Sequence, residues 1–370
     1  MAVKYLLLGL IFLTSCGAFA SDDPTPLQDF CVADLRAPVL VNGYVCKDPK
    51  LVIAEDFYTS ELHLERNISD SCGSGSDSIS VIQVPGLNTL GISMGRVDLD
   101  SWVLKKGDVF VIPKGLVHFQ RNIGNGHAVA LTAFNSQNRG VVTVGNVVFG
   151  SKPSISSDLL AKSFQIQDLL CEIAGEVRPH LFAAEGGWSI PTVLVNGYVC
   201  KDPKLVIAED FYTSELHLER NISDSCGSGS DSISVIQVPG LNTLGISMGR
   251  VDLDSWGVIA PHYHPRASEI ITVLQGTIET GFVTSNPENR LISKVLKKGD
   301  VFVIPKGLVH FQRNIGNGHA VALTAFNSQN RGVVTVGNAV FGSKPSISSD
   351  LLAKSFQVDE NVIHQLQAKF

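Results

Sequence analysis

The chain has 370 residues, 44% of them hydrophobic and 17% charged, with a formal net charge of −6. This composition is that of a globular rather than a disordered chain, and the acidic balance argues against nucleic acid or an anionic membrane as the main partner. Its 34 glycines and 16 prolines, set among Val/Ile-rich runs, predict a β-rich fold with many turns.

In chain order, residues 1–20 carry Lys4, an apolar run Tyr5–Leu13 and then Ala18-Phe19-Ala20 before Ser21. Small residues at −1 and −3 fit cleavage of a secretory signal after Ala20. The apolar run is shorter than the ~20 residues that a membrane span needs. Cys16 leaves with the signal, so six cysteines remain for an oxidising compartment: Cys31, Cys46, Cys72, Cys171, Cys200 and Cys226. Asn67-Ile68-Ser69 and Asn221-Ile222-Ser223 are glycosylation sequons, which export would make usable.

Self-comparison sets the architecture. Val39–Trp102 recurs identically as Val193–Trp256, and Val103–Gln165 recurs as Val295–Gln357 with Val147 replaced by Ala339. The two blocks return in different registers, and the difference is Gly257–Lys294, present in the second copy alone. Near-identity over such a length reads as a recent tandem duplication, or as a gene model that joined two neighbouring copies and skipped an exon. The chain therefore divides into residues 21–165, an incomplete copy; a linker, 166–192; and residues 193–370, a complete copy.

Leu51–Ala54, Ser80–Val84 and Gly91–Leu99 are expected strands of the first copy, each with its duplicate in the second. The second copy adds Glu269–Gln275, Gly276–Val283, Val301–Ile304 and Ala320–Phe326, a spacing that suits a β-sandwich or barrel. Helical spacing appears in the linker at Leu169, Leu170, Ile173 and Val177. It returns after Ser348-Ser349-Asp350 and after Asp359-Glu360.

The chemistry concentrates in Gly257–Asn314. His262 and His264 stand two apart on an expected strand and so share a face. Glu269 follows five residues later, and His310 about forty residues after that, completing a set of three histidines and one carboxylate suited to a transition metal. The first copy keeps His118 but has no counterpart of His262, His264 or Glu269, so it should bind no such metal, and it should have open sheet edges unless strands come from elsewhere in the chain. His180, His319 and His364 lack ligand-type neighbours, and His63 and His217 with their nearby glutamates read as strand or loop residues. Lys298-Gly299-Asp300 reads as a hairpin turn, and Asn314 as a structural residue or one that supports the metal ligands from behind.

With these motifs in place, His262-Tyr263-His264 to Glu269 and Gly276, then Gly299, Pro305, Gly307, His310 and Asn314, the second copy resembles the germin and germin-like proteins of plants, within the cupin superfamily. The resemblance covers about Val193–Phe370, and Leu27–Asp34 also looks like a mature germin-like N-terminus. It implies an all-β cupin barrel of jelly-roll type closed by C-terminal helices, and manganese on His262, His264, Glu269 and His310. It further implies a disulfide between Cys31 and Cys46, hexameric assembly and a place in the apoplast or cell wall, in plant defence. In the second copy Cys200 stands without its partner, because Glu185 occupies that place, so the metal-bearing copy should lack its own disulfide.

Germins that oxidise oxalate carry two asparagines near the metal; the matching positions here are Gly249 and Ile259, which cannot donate a side-chain hydrogen bond. Superoxide dismutation is then the expected chemistry. The alternative is a non-catalytic metal-binding wall or receptor protein, as in auxin-binding-like relatives, with oxalate oxidase third.

Overall fold

In the computed structural model most of residues 31–140 are described, as are scattered positions from 141 to 199 and residues 201–370 apart from 215, 223 and 224. The expected signal segment, Asn67, the linker helix, His180 and cysteines 72, 171 and 200 lie outside the described residues. The chain separates into two units, residues 139–205 and the remainder.

Strands β1 (Tyr58–Thr59), β2 (Ser74–Ile79), β3 (Ser93–Leu99), β4 (Val109–Phe110) and β5 (Ala128–Phe134) belong to the first copy. In the smaller unit, β6 (Leu194–Val195) and β7 (Tyr198–Val199) pair as a hairpin. The second copy continues with β8 (Tyr212–Thr213), β9 (Ser228–Ile233), β10 (Ser247–Leu253), β11 (Val258–Tyr263), β12 (Glu269–Gln275) and β13 (Thr277–Val283). It ends with β14 (Leu291–Lys297), β15 (Val301–Ile304), β16 (His310–Asn314), β17 (Ala320–Phe326) and β18 (Val334–Thr335). Helices α1 (Val336–Phe341), α2 (Ser349–Phe356) and α3 (Glu360–Gln367) close the chain. Among the described residues no helix is long and apolar enough to cross a membrane.

Two sheets form the barrel, in the orders β1-β15-β12-β17-β10-β9 and β14-β13-β16-β11-β18. The near-continuous apolar runs of β12 and β15 follow from burial on both faces. Side chains alternate across a strand, so Ile271, Val273, Phe302 and Ile304 point into the barrel core. Ile270, Val301 and Val303 point the other way, into a second core built with Leu62, Ile79, Val84, Leu87, Ile92 and Met94 of the first copy. Gly276 makes the β12–β13 turn possible: its φ is +81°, and a Cβ there would lie 2.6 Å from the Cβ of Ala320.

The first copy contributes the three-stranded sheet β2-β3-β5, a half-barrel in line with its missing segment. It does not keep its own N-terminal arm. Tyr58↔Phe302 and Thr59↔Val301 add β1 to the second copy's sheet, while the duplicate strand β8 pairs with β4 of the first copy through Phe110↔Tyr212 and Val109↔Thr213. The two arms are exchanged between copies. Phe57 enters the complete barrel with no exposure, its ring edge-on to Phe282 at 5.0 Å. Arg290 donates to the Val52 carbonyl at 2.7 Å, and Lys294 pairs with Glu55 at 2.7 Å while lying over the Tyr58 ring.

The arm also carries a Cys31–Cys46 disulfide. The second copy's own lack of a disulfide rests on Cys200 and Glu185, which lie outside the described residues, but its barrel is packed by the arm that holds the first copy's disulfide.

Two expected strands are not strands. Leu51–Ala54 falls between 3-10 turns at Pro49–Leu51 and Ala54–Phe57, where Asp48 accepts from the Lys50 amide and Asp56 from the Ile53 amide. Ser80–Val84 is a turn closed by Gln83 accepting from the Ser80 amide and hydroxyl, and β2 precedes it. In both places short polar side chains offer the backbone a local partner that competes with a sheet ladder. The helices after Ser348 and Asp359 form as expected, with Asp359 accepting from the Asn361 amide at 2.8 Å, whereas α1 was not expected.

Candidate metal centre

The four residues singled out by spacing meet between the two sheets. His262 on β11 and His310 at the start of β16 are direct cross-strand partners, so they project to the same side. The β11–β16 register shifts between Ile259 and His262, a bulge at Pro261, which has no N–H to give to the ladder. His264 follows the end of β11, and Glu269 opens β12 on the facing sheet. All four are buried, between 2% and 5% exposed, and one ligand atom from each lies within 4.8 Å of all the others. Among the described residues this is the one such group.

Each imidazole is oriented by a backbone carbonyl. Nδ1 of His262 lies 2.8 Å from the Ala260 oxygen, that of His264 2.6 Å from Gly332, and that of His310 2.9 Å from Leu308. A carbonyl only accepts, so in each ring Nδ1 donates to it and Nε2 is the atom turned to the centre, where a bound cation would displace any proton shared with Glu269. Glu269 Oε2 is 3.1 Å from Nε2 of both His264 and His310, and Gln312 donates toward Oε1 at 3.4 Å.

Burial, assisted by the neighbouring His310, lowers the His262 pKa to about 4 against an opposing pull from Glu269. Burial pushes the Glu269 carboxyl up, but the hydrogen bonds and charges of His264 and His310 outweigh it and hold the group well below the usual carboxylate range. Neutral imidazole and ionised carboxylate are the forms that bind a cation. Three inward nitrogens and one carboxylate oxygen, closely grouped and stripped of water, fit a first-row divalent metal.

His118, the duplicate of His310, keeps the same local bond, Nδ1 at 2.9 Å from the Leu116 carbonyl, yet it is exposed. The local sequence sets the ring; the absent segment would have set its partners. Asn314 is structural as expected, donating to the carbonyls of Leu253, Asp254 and Gly318. His319 lies 3.5 Å from Asp252, and exposed His364 lies 3.6 Å from Glu360. His63 and His217 act through their carbonyls, which accept from Arg96 and Arg250. Asn221 is exposed.

Two nearby residues escape the spacing argument. Gln312 is two residues from His310 on one strand, so strand alternation alone could have found it. Arg331 stands in a turn sequence, where nothing but its charge marks it.

A family model described as cupin matches residues 100–168 and 214–364. Putative germin-like protein 2-3 of Oryza sativa subsp. japonica is 60% identical over 179 residues, spanning 48% of this chain and 80% of that protein. Germin-like protein subfamily 1 member 7 of Arabidopsis thaliana is 54% identical over 179 residues, spanning 48% of this chain and 78% of that one. A deletion mutant of Bacillus subtilis oxalate decarboxylase aligns with a TM-score of 0.61 over 83% of this chain and 85% of its own, at 13% identity, a likeness of fold.

Proposed function

Since this chain belongs to the cupin family, in its germin-like branch, we propose that it is an exported manganese protein whose single centre, on His262, His264, Glu269 and His310, disproportionates superoxide. The observation that carries this reading is the convergence of three carbonyl-oriented imidazoles and one buried carboxylate. Manganese held by these four residues would supply a redox couple between two oxidation states. Two superoxide ions and two protons then give one dioxygen and one hydrogen peroxide.

The chain's own residues do the rest. The carbonyls of Ala260, Gly332 and Leu308 orient the imidazoles, Gln312 steadies Glu269, and the apolar barrel core shares the interior face of β12 with Glu269. Oxalate is a poorer fit. A Cβ at Gly249 would lie 2.9 Å from both the Asp231 carbonyl and Thr324 Oγ1, and Ile259 packs against the barrel core. Export is supported by the pattern of residues 1–20, so the mature chain should begin at Ser21.

Metal analysis and a superoxide assay on the purified chain test the proposal. Manganese with superoxide consumption, both lost in His262→Ala, supports it. Manganese without consumption of superoxide or oxalate would assign the centre a binding role, and hydrogen peroxide made from oxalate would overturn the argument from Gly249.

A further inference from the structure

A half-buried cation stands beside the centre with no role in holding its ligands. The Arg331 guanidinium lies over the Phe326 ring at 4.2 Å from its centroid, and that ring meets the His264 imidazole edge-on at 4.8 Å. One Nη donates to Ser232 Oγ, while Nε is buried without a hydrogen-bond partner. Burial lowers the Arg331 pKa and the charge of Glu269 opposes that shift, so the guanidinium feels the carboxylate of the ligand set. The next residue supplies the carbonyl that orients His264, and the Arg331 carbonyl itself accepts from the Arg266 amide, so this turn is tied to the centre from both sides.

A guanidinium retains its charge, and a buried, unmatched N–H such as Nε is costly unless a ligand completes it. The single Glu269 charge is opposed to a divalent metal in the proposed state, so the centre and Arg331 together present an excess of positive charge. Only anions gain from that field.

We propose that Arg331 selects small monoanions at the metal centre, superoxide or a short carboxylate, by adding an unmatched cationic donor on the Phe326 side. This rests on the metal reading above and deepens it. The first copy carries the same Ser-Gln-Asn-Arg-Gly sequence with Arg139, but without three of the four ligands, so the same residue type there should have no such effect.

The test uses the full-length, manganese-loaded protein, with azide as the probe anion followed by electron paramagnetic resonance of the metal. Manganese content is measured in parallel. Arg331→Met should keep its manganese and weaken azide binding about tenfold or more, Arg331→Lys should restore most of the affinity, and Arg139→Met should change nothing. Unchanged azide affinity in a metal-loaded Arg331→Met protein overturns the inference. Loss of manganese in that variant also overturns it, by making the residue structural. A wild-type chain that takes up no manganese instead overturns the underlying metal reading. Formate titrated in the same way, against the rate of superoxide consumption, distinguishes a carboxylate ligand from superoxide.

Discussion

Tyr58 of the first copy pairs in antiparallel register with Phe302 of the second, and its sequence-identical duplicate Tyr212 pairs with Phe110 of the first. From Val39 and Val193 onward the two arms are the same peptide in two environments. The arm from the first copy enters a closed barrel, where Val32, Val52 and Phe57 join a core with Phe282, Phe302 and Leu296. The arm from the second copy reaches a half-barrel and joins a smaller cluster, Leu216, Ile233, Val235, Val238 and Leu241 against Val109 and Val111. The incomplete copy thus supports the complete one by supplying its arm.

Identical substitutions in the two arms should therefore differ in effect. Phe57 is fully buried between Phe282 and Phe302, and Phe211 is only half-buried. Phe57→Ala should lower the unfolding free energy by about 3–5 kcal/mol, the usual range for removing a buried aromatic ring. Phe211→Ala should cost clearly less. Denaturant melts of both variants read this directly, and equal losses would contradict the exchange.

The disulfide should act on the barrel that holds the candidate centre although both its cysteines precede that barrel in sequence. Cys31 and Cys46 close a loop of 15 residues, worth about 3 kcal/mol in a chain-entropy account. Cys46→Ser should lower the melting temperature of the barrel's transition. If that transition stays in place while a separate one moves, the arm does not belong to the barrel.

The fold and site were legible unequally, for physical reasons. His262, His264, Glu269 and His310 could be found because strand alternation fixes which side chains share a face, whatever the details of the loops. The arm exchange could not be found, because two identical peptides carry no information on which barrel each one joins. Leu51–Ala54 misleads because its apolar residues suggest a strand while Asp48 and Asp56 close turns around it. Arg331 is invisible for a different reason: a turn leaves no periodicity to show that its side chain returns over Phe326.

Acid should destabilise the metal-free protein over a defined window. His262 ordinarily takes a proton near 6.5 but in the folded state does so only at about 4. Between those values the unfolded chain binds the extra proton and the folded one does not, so stability falls as pH drops, by roughly 3 kcal/mol in all. Glu269, held well below its ordinary 4.5, adds a loss of the same sign below that pH. The denaturation midpoint of the metal-free protein should decline from pH 6.5 toward 4, with His262→Gln flattening the upper part of the fall. A midpoint constant across the window would count against the neutral, buried His262.

The central claim is that a chain with two copies of one sequence holds one metal centre, because Gly257–Lys294 supplies three of its four ligands. Manganese counted per chain by elemental analysis tests this most directly. The account expects one ion in the wild type, one in His118→Ala and none in His264→Ala. Two ions per chain, or one retained by His264→Ala, would contradict it.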